Sequence, residues 1–141
     1  MLTAVQCQKK FGTPGTKTEG NYMVIWDVPS ELELGVIPKK LYCNKLMVDP
    51  LTKAFKNIIT RKLVDQLKTW DGCYQIRLKR GQQTMSLHSW GCAVDINAAW
   101  NQFGKKPTMS KELVACFTDA GLDWGGVWSK PDGMHFQLKT V

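Results

Sequence analysis

The chain contains only two histidines, and each lies near an aspartate in a short motif. His88 and Asp95 lie in the segment 86–95, whereas Asp132 and His135 lie near the end of the chain. Two imidazoles and one carboxylate can supply three ligands to a catalytic zinc ion, which leaves the fourth position open for water. The remaining carboxylate, Asp132, is then free to act as a base on that water. These residues indicate metal-assisted hydrolysis.

Two predicted strands can bring these side chains together. Residues 91–96 are typical of a core strand in which Cys92 and Asp95 point to opposite faces, because side chains alternate along a strand. We therefore expect Cys92 in the core and not among the ligands. Residues 134–138 are predicted to form the last strand, which carries His135. If the two strands are adjacent and antiparallel, their polar side chains converge.

Turn residues support the same arrangement. Gly91 permits close packing of the backbone near the metal. Residues 131–133 have the composition of a turn. A turn lets Asp132 face the site, whereas a regular strand at that spacing from His135 would not.

The remaining segments predict an α+β fold in one domain that spans residues 1–141. Helices and strands are mixed without βαβ alternation, so we expect a small antiparallel sheet with flanking helices. Glycine, threonine and proline in residues 1–21 predict an N-terminal arm or loop. The other predicted elements are a strand over residues 23–28, a helix from Asp49 to about Thr69, a strand over residues 73–78, and a helix capped by Ser110 and closed by Gly121.

Composition narrows the class of protein. Hydrophobic residues make up 43% and charged residues 22%, as in an ordinary globular domain. No apolar run approaches the roughly 20 residues of a membrane helix. The first residues lack the apolar core of a secretory signal. We therefore expect a protein that is made in a cytoplasm and not inserted into a membrane.

Cysteines and charge add two further expectations. The five cysteines are an odd number without close spacing, which excludes a complete disulfide framework and a CxxC zinc site. We expect core positions for Cys43, Cys73, Cys92 and Cys116. The net charge of +7 favours polyanionic partners, either nucleic acid or an anionic cell wall. The alternative is an ordinary well-hydrated surface, because the basic residues are scattered along the chain.

The two histidine motifs resemble those of a known family. The pattern is Ser86-x-His88-x-x-Gly91-x-Ala93-x-Asp95, followed by Asp132-x-x-His135. It resembles the zinc D-Ala-D-Ala carboxypeptidases, the related dipeptidases and the phage L-alanyl-D-glutamate endopeptidases. These families share the Hedgehog/DD-peptidase α+β fold. The resemblance is strongest over residues 70–138 and includes Trp124-Gly125-Gly126-x-Trp128, which is similar to phage members.

The resemblance implies roles for the matched residues. His88, Asp95 and His135 match the zinc ligands. Asp132 matches the acidic general base, with a turn-forming aspartate as the alternative. Trp124 and Trp128 match a segment that can be either core or substrate platform.

The basic residues and the serine are matched in the same way. An upstream arginine in the family stabilises a substrate carboxylate or the oxyanion. Arg77 is the residue expected in that role, and Arg80 is the alternative and a candidate substrate-binding residue. Arg77 can also be an ordinary surface arginine. Ser86 matches a hydroxyl of the substrate pocket.

The implied function is a zinc-dependent peptidoglycan peptidase that cleaves a stem-peptide bond as an endo- or carboxypeptidase. A phage or prophage endolysin of this type remains in the host cytoplasm until it is released to the wall, whereas a virion-associated enzyme is carried on the particle. We expect a monomer. One alternative is a non-catalytic phage tail or assembly protein that retained the fold, against which the intact ligand set argues. Another is a nucleic-acid-binding domain, against which the scattered charge argues.

Overall fold

The computed structural model describes residues 1–141 and confirms the α+β class. Its three helices are α1 (Ala4–Phe11), α2 (Val48–Thr60) and α3 (Lys111–Thr118). Strands β1 (Met23–Asp27) and β2 (Lys40–Asn44) form one antiparallel sheet. The second sheet is also antiparallel, in the order β3-β4-β6-β5, and contains β3 (Trp70–Gly72), β4 (Ala93–Ile96), β5 (Leu122–Trp124) and β6 (His135–Leu138).

Strands β4 and β6 lie at the centre of the four-stranded sheet, and every residue in them is buried. Along β6 the polar residues His135 and Gln137 alternate with Phe136 and Leu138, so the strand has one polar face and one apolar face. Phe136 stacks on Phe117 of α3 with ring centroids 4.4 Å apart. The apolar face therefore anchors the sheet to the core, and the polar face is available for chemistry.

The N-terminal segment is not the arm or loop that its composition predicted. Residues 4–11 form α1, which begins at a capping box between Thr3 and Gln6. Phe11 is buried in the core, and the backbone carbonyl of Gly12 accepts a 2.8 Å hydrogen bond from Trp90 Nε1. These contacts bind the segment to the turn that precedes β4.

Helix α2 ends at Thr60, earlier than the predicted end near Thr69. Lys62 adopts a left-handed conformation with φ of 59°. The amides of Lys62 and Leu63 then donate to the carbonyls of Ile59 and Ile58, at 3.1 and 2.9 Å. This is a Schellman motif in which lysine takes the left-handed position where glycine is usual. Because no glycine marks the helix end, the apolar pattern alone did not predict it.

Residues 73–78 do not form the predicted strand. Strand β3 ends at Gly72, and only Leu78 pairs further on, through an isolated bridge to Met85. The amide of Gln75 donates to the carbonyl of His88 at 3.1 Å, and the amide of Arg77 donates to Ser89 Oγ at 3.2 Å. The segment thus satisfies its backbone against the turn around His88 and not against a sheet.

All five cysteines are buried and unpaired, which confirms the core positions expected for four of them. No helix in the protein is both long and apolar enough to span a lipid bilayer.

Candidate metal centre

Asp95 and His135 are direct cross-strand partners in the β4–β6 ladder. Directly opposed side chains in an antiparallel pair project from the same face of the sheet. Accordingly, Asp95 Oδ1 lies 3.3 Å from His135 Nδ1. The convergence expected from adjacent antiparallel strands is present.

His88 reaches the same point from a short 3-10 turn, Leu87–Trp90, just before β4. Ser86 caps this turn, since its hydroxyl accepts a 3.3 Å hydrogen bond from the amide of His88. Gly91 ends the turn in the left-handed region. The turn places His88 Nε2 at 3.2 Å from Asp95 Oδ2, so one carboxylate lies between two imidazoles.

A backbone carbonyl fixes the tautomer of His88. Its Nδ1 lies 2.6 Å from the carbonyl oxygen of Cys73. A carbonyl oxygen only accepts, so Nδ1 carries a proton, and in the neutral tautomer the lone pair is on Nε2. This arrangement is typical of metal-binding histidines, whose second nitrogen donates to a backbone or carboxylate oxygen.

The cluster has the properties of a metal site. One nitrogen or oxygen from each of His88, Asp95 and His135 lies within 4.8 Å of the others, and all three residues are buried. His88 Nε2 and Asp95 Oδ1 are buried without a hydrogen-bond partner within the protein, although Asp95 lies 3.2 Å from one imidazole and 3.3 Å from the other. Buried polar atoms are rarely left unpaired, so the geometry fits a cation held between the three side chains.

The electrostatics of the cluster point the same way. Burial raises the pKa of Asp95, but its contacts with His135 and His88 outweigh burial and leave this pKa below its ordinary value. Burial lowers the pKa of His135, whereas Asp95 raises it to a net value above the ordinary one. An ionised, desolvated carboxylate between two imidazoles strongly favours a bound positive charge.

Asp132 lies beside the cluster on the turn before β6. Its Oδ2 is 4.0 Å from His135 Nδ1, and its Oδ1 is buried without a hydrogen-bond partner. Burial is the main cause that raises the pKa of this carboxyl group above its usual value. A side chain whose only role was to form the turn would be expected to accept a backbone amide, and Asp132 accepts none with this oxygen.

The tryptophan–glycine segment holds the Asp132 turn in place. The amide of Asp132 donates to the carbonyl of Gly125 at 2.9 Å, and Trp124 Nε1 donates to the carbonyl of Gly133 at 2.8 Å. A Cβ at residue 125 would lie 2.6 Å from the carbonyl oxygen of Asp132, so this close approach requires glycine. Trp124 therefore braces the turn, whereas the ring of Trp128 lies 5.3 Å from that of His135.

Residues 80–138 match a family model described as D-alanyl-D-alanine carboxypeptidase. No curated protein and no solved structure matches the chain. The matched segment covers less than half of the chain but contains the three clustered residues and Asp132. The match supports a peptidase of this family, which is generally metal-dependent, and the His–Asp–His cluster agrees with it.

The candidate substrate residues line a cavity of about 370 Å³ that opens onto Asp95, Asp132 and His135. Arg77 and Arg80 both border it, so the structure brings both candidates to the site without choosing between them. Arg77 lies just outside the matched segment, and Arg80 is its first residue. Ser86 also borders the cavity, but its hydroxyl already accepts the His88 amide, which gives it a capping role.

Sequence reasoning missed two groups of residues at this site. Phe103 and Lys130 border the cavity, with the ammonium group of Lys130 4.9 Å from the centre of the Phe103 ring. Gln137 lies 2.9 Å from His135 Nε2. The alternation of polar residues along β6 is a signal for Gln137, whereas nothing local marks Phe103, which lies in an irregular connection.

Proposed function

We propose that this chain is a zinc-dependent peptidase that cleaves a peptide bond in the stem peptide of bacterial peptidoglycan. The observation that carries the proposal is the buried cluster of His88, Asp95 and His135, with its unpartnered nitrogen and oxygen atoms. Two imidazole nitrogens and a carboxylate oxygen suit zinc and leave a coordination position open. The family match adds peptide-bond hydrolysis as the reaction class.

His88, Asp95 and His135 would hold the ion. When bound, zinc supplies Lewis acidity that polarises a carbonyl group and acidifies water. Asp132 supplies the proton transfer: its unpartnered Oδ1 takes a proton from the attacking water and returns it to the leaving amine. Trp128, packed near His135 in the cavity wall, limits the access of bulk water to this point.

The cavity wall supports an anionic substrate. Arg77, Lys79, Arg80 and Lys130 all border it. Stem peptides carry carboxylates, which such a wall attracts and orients. The guanidinium fork of Arg77 can hold a carboxylate or a developing oxyanion with two parallel hydrogen bonds.

The biological setting is part of the proposal. The net charge of +7 supports attraction of the whole protein to an anionic wall. We assign the chain to a phage or prophage enzyme that acts as a monomeric domain, residues 1–141. It reaches the wall after release from the host cytoplasm, or it is carried there on the virion.

Metal analysis tests the centre. Protein purified without added metal should contain close to one equivalent of zinc. His135→Ala should lose it, because two remaining ligands bind the ion far more weakly than three. Full retention of zinc by that variant would rule out the centre.

Mass spectrometry of purified muropeptides before and after digestion tests the reaction. The wild-type protein should cut one stem-peptide bond. Asp132→Asn should keep its zinc and lose roughly 10²- to 10⁴-fold in rate, the usual scale of general acid–base catalysis. Near-normal cleavage by this variant would leave Asp132 as a turn former, and loss of zinc would make it a ligand. A zinc-loaded wild-type protein that cleaves no muropeptide would instead favour a non-catalytic phage tail or assembly protein.

A further inference from the structure

Gln137 is a buried polar residue for which the proposed reaction has no use. It is 3% exposed and lies on the same face of β6 as His135. Its cross-strand partners are Ala93 on β4, a small residue, and Asp123 on β5. Both ends of that amide are hydrogen-bonded: Oε1 lies 2.9 Å from His135 Nε2, and Nε2 lies 3.3 Å from the carbonyl oxygen of Leu2.

These two contacts determine which ring nitrogen of His135 donates a proton to Gln137. The Leu2 carbonyl only accepts, so the amide nitrogen of Gln137 must face it and the amide oxygen must face His135. The amide oxygen also only accepts, so His135 Nε2 carries the proton. In the neutral tautomer, which is the form that can bind a metal, the lone pair is then on His135 Nδ1, which faces Asp95 at 3.3 Å.

We propose that Gln137 is the positioning residue of the metal centre: braced by the backbone of Leu2, its amide oxygen holds His135 with Nδ1 toward the ion. The inference rests on the proposed zinc site, but it concerns a residue outside the ligand set. It also makes the N-terminal segment part of that site. Leu2 is buried in the core, and the capping box of α1 fixes the backbone immediately after it.

Both histidines are then oriented in the same way, by a hydrogen bond from one ring nitrogen to an acceptor oxygen. His88 donates to the carbonyl of Cys73, and His135 donates to an amide oxygen that is itself held by a carbonyl. Loss of such an acceptor typically costs about 10- to 100-fold in metal affinity, because the ring can rotate or change tautomer. A side chain that only filled space would have no such effect.

Two substitutions separate positioning from packing. Gln137→Met keeps the length of the side chain but removes the acceptor, so zinc affinity should fall by about 10- to 100-fold. Gln137→Glu keeps an acceptor for His135 but loses the donor to the Leu2 carbonyl, so its zinc affinity should fall clearly less than that of Gln137→Met. Affinity is measured by competition with a chromophoric chelator, and the visible spectrum of the Co²⁺-substituted protein reports the ligand geometry.

A matched control accounts for the loss of stability. Asn57 donates its side-chain amide to the carbonyl of Cys116 at 3.0 Å, between α2 and α3. Asn57→Leu should lower the thermal stability of the metal-free protein without changing zinc affinity or the Co²⁺ spectrum. If Gln137→Met does not fold, Gln137→Asn takes its place, because its amide is one methylene too short to reach His135.

The outcomes distinguish this inference from the proposed function. If the wild-type protein binds no zinc, or His135→Ala binds it equally well, the centre itself is wrong. If the wild type binds zinc and His135→Ala does not, wild-type affinity and spectrum in Gln137→Met or Gln137→Asn would overturn the positioning role alone. An equal loss of affinity in Gln137→Glu and Gln137→Met would also overturn it, because the acceptor would then not be the property that matters.

Discussion

Gly91 ends the turn that carries His88, and its replacement by alanine should destabilise the protein substantially. Its φ of 66° lies in the left-handed region, which costs an L-residue roughly 1–2 kcal/mol. A Cβ would lie 2.6 Å from the amide nitrogen of Asn44 and 2.7 Å from Met23 Sδ. Extra atoms in a packed core cost about 1–3 kcal/mol. Gly91→Ala should therefore lower the free energy of unfolding by about 2–5 kcal/mol in total.

Gly35→Ala is the matched control. Gly35 has a φ of 75°, but no other atom lies within 4 Å of the position of its Cβ. Its substitution should therefore cost only the backbone strain, about 1–2 kcal/mol. Urea unfolding of both variants without metal gives the two values, and their difference measures the close approach to Asn44 and Met23.

The consequences for the metal centre should also differ. The amide of Asn44 donates to the carbonyl of Gly91, and its side chain donates to the carbonyl of Trp90, both at 3.1 Å. A displaced Asn44 moves the turn that holds His88, so Gly91→Ala should bind zinc more weakly and Gly35→Ala should not. Equal losses of stability in the two variants would refute the steric part of this reasoning. A loss below about 0.5 kcal/mol in Gly91→Ala, the range of ordinary surface substitutions, would refute the left-handed turn itself.

Two further predictions concern the arginines of the cavity and the hydrogen bond between Tyr42 and Glu19. Arg77→Ala should lower muropeptide turnover roughly 10²-fold, by analogy with a lost oxyanion donor, and leave zinc content unchanged; a larger loss in Arg80→Ala would transfer the role to that residue. Glu19→Gln should lower the pKa of Tyr42, which its hydrogen bond to Glu19 raises to about 12, toward the usual value near 10. In the wild-type protein, the raised pKa of Tyr42 stabilises the folded state at pH values below the ordinary tyrosine pKa, and this stabilisation is lost as the pH rises past the pKa of the folded state. Glu19→Gln should therefore shift both the ultraviolet titration of tyrosinate and the alkaline unfolding transition to lower pH. The exposed control Glu33→Gln should change neither, and an unchanged titration in Glu19→Gln would contradict the hydrogen bond.

The central strands and the clustered side chains could be predicted because their signals are local. Alternation in residues 91–96 put Asp95 on one face and Cys92 on the other; β4 covers only Ala93–Ile96, because Gly91 ends the preceding turn, but Cys92 is completely buried as expected. The last strand begins at His135, close to the predicted start. If the two strands were adjacent and antiparallel, Asp95 and His135 were expected to lie close together, and they are direct cross-strand partners. The cap at Ser110 was equally local, since its hydroxyl accepts the amide of Leu113 at 3.1 Å.

The errors arose where distant contacts decide the local structure. Helix α1 has only eight residues, of which only Cys7 and Phe11 are buried, and the segment is held by Phe11 in the core and by Trp90 far along the chain. Residues 73–78 have strand-forming side chains, but the turn around His88 satisfies their backbone. The end of α2 depends on Lys62 in a conformation that lysine seldom adopts. No periodicity or propensity over a short window reports such contacts.

The family match contains the clustered side chains, but it leaves out two backbone groups that hold side chains of the site. Residues 80–138 hold every side chain of the cluster and also Gln137, whereas the backbone carbonyls that hold the His88 ring and the Gln137 amide belong to Cys73 and Leu2, outside the match. A ligand needs a specific side chain, so it leaves a motif in the sequence. A backbone carbonyl can be supplied by any residue at the right place in the fold, so it leaves none. The candidate metal centre therefore depends on a few residue types in the matched segment and on backbone groups that the N-terminal half of the chain brings against them.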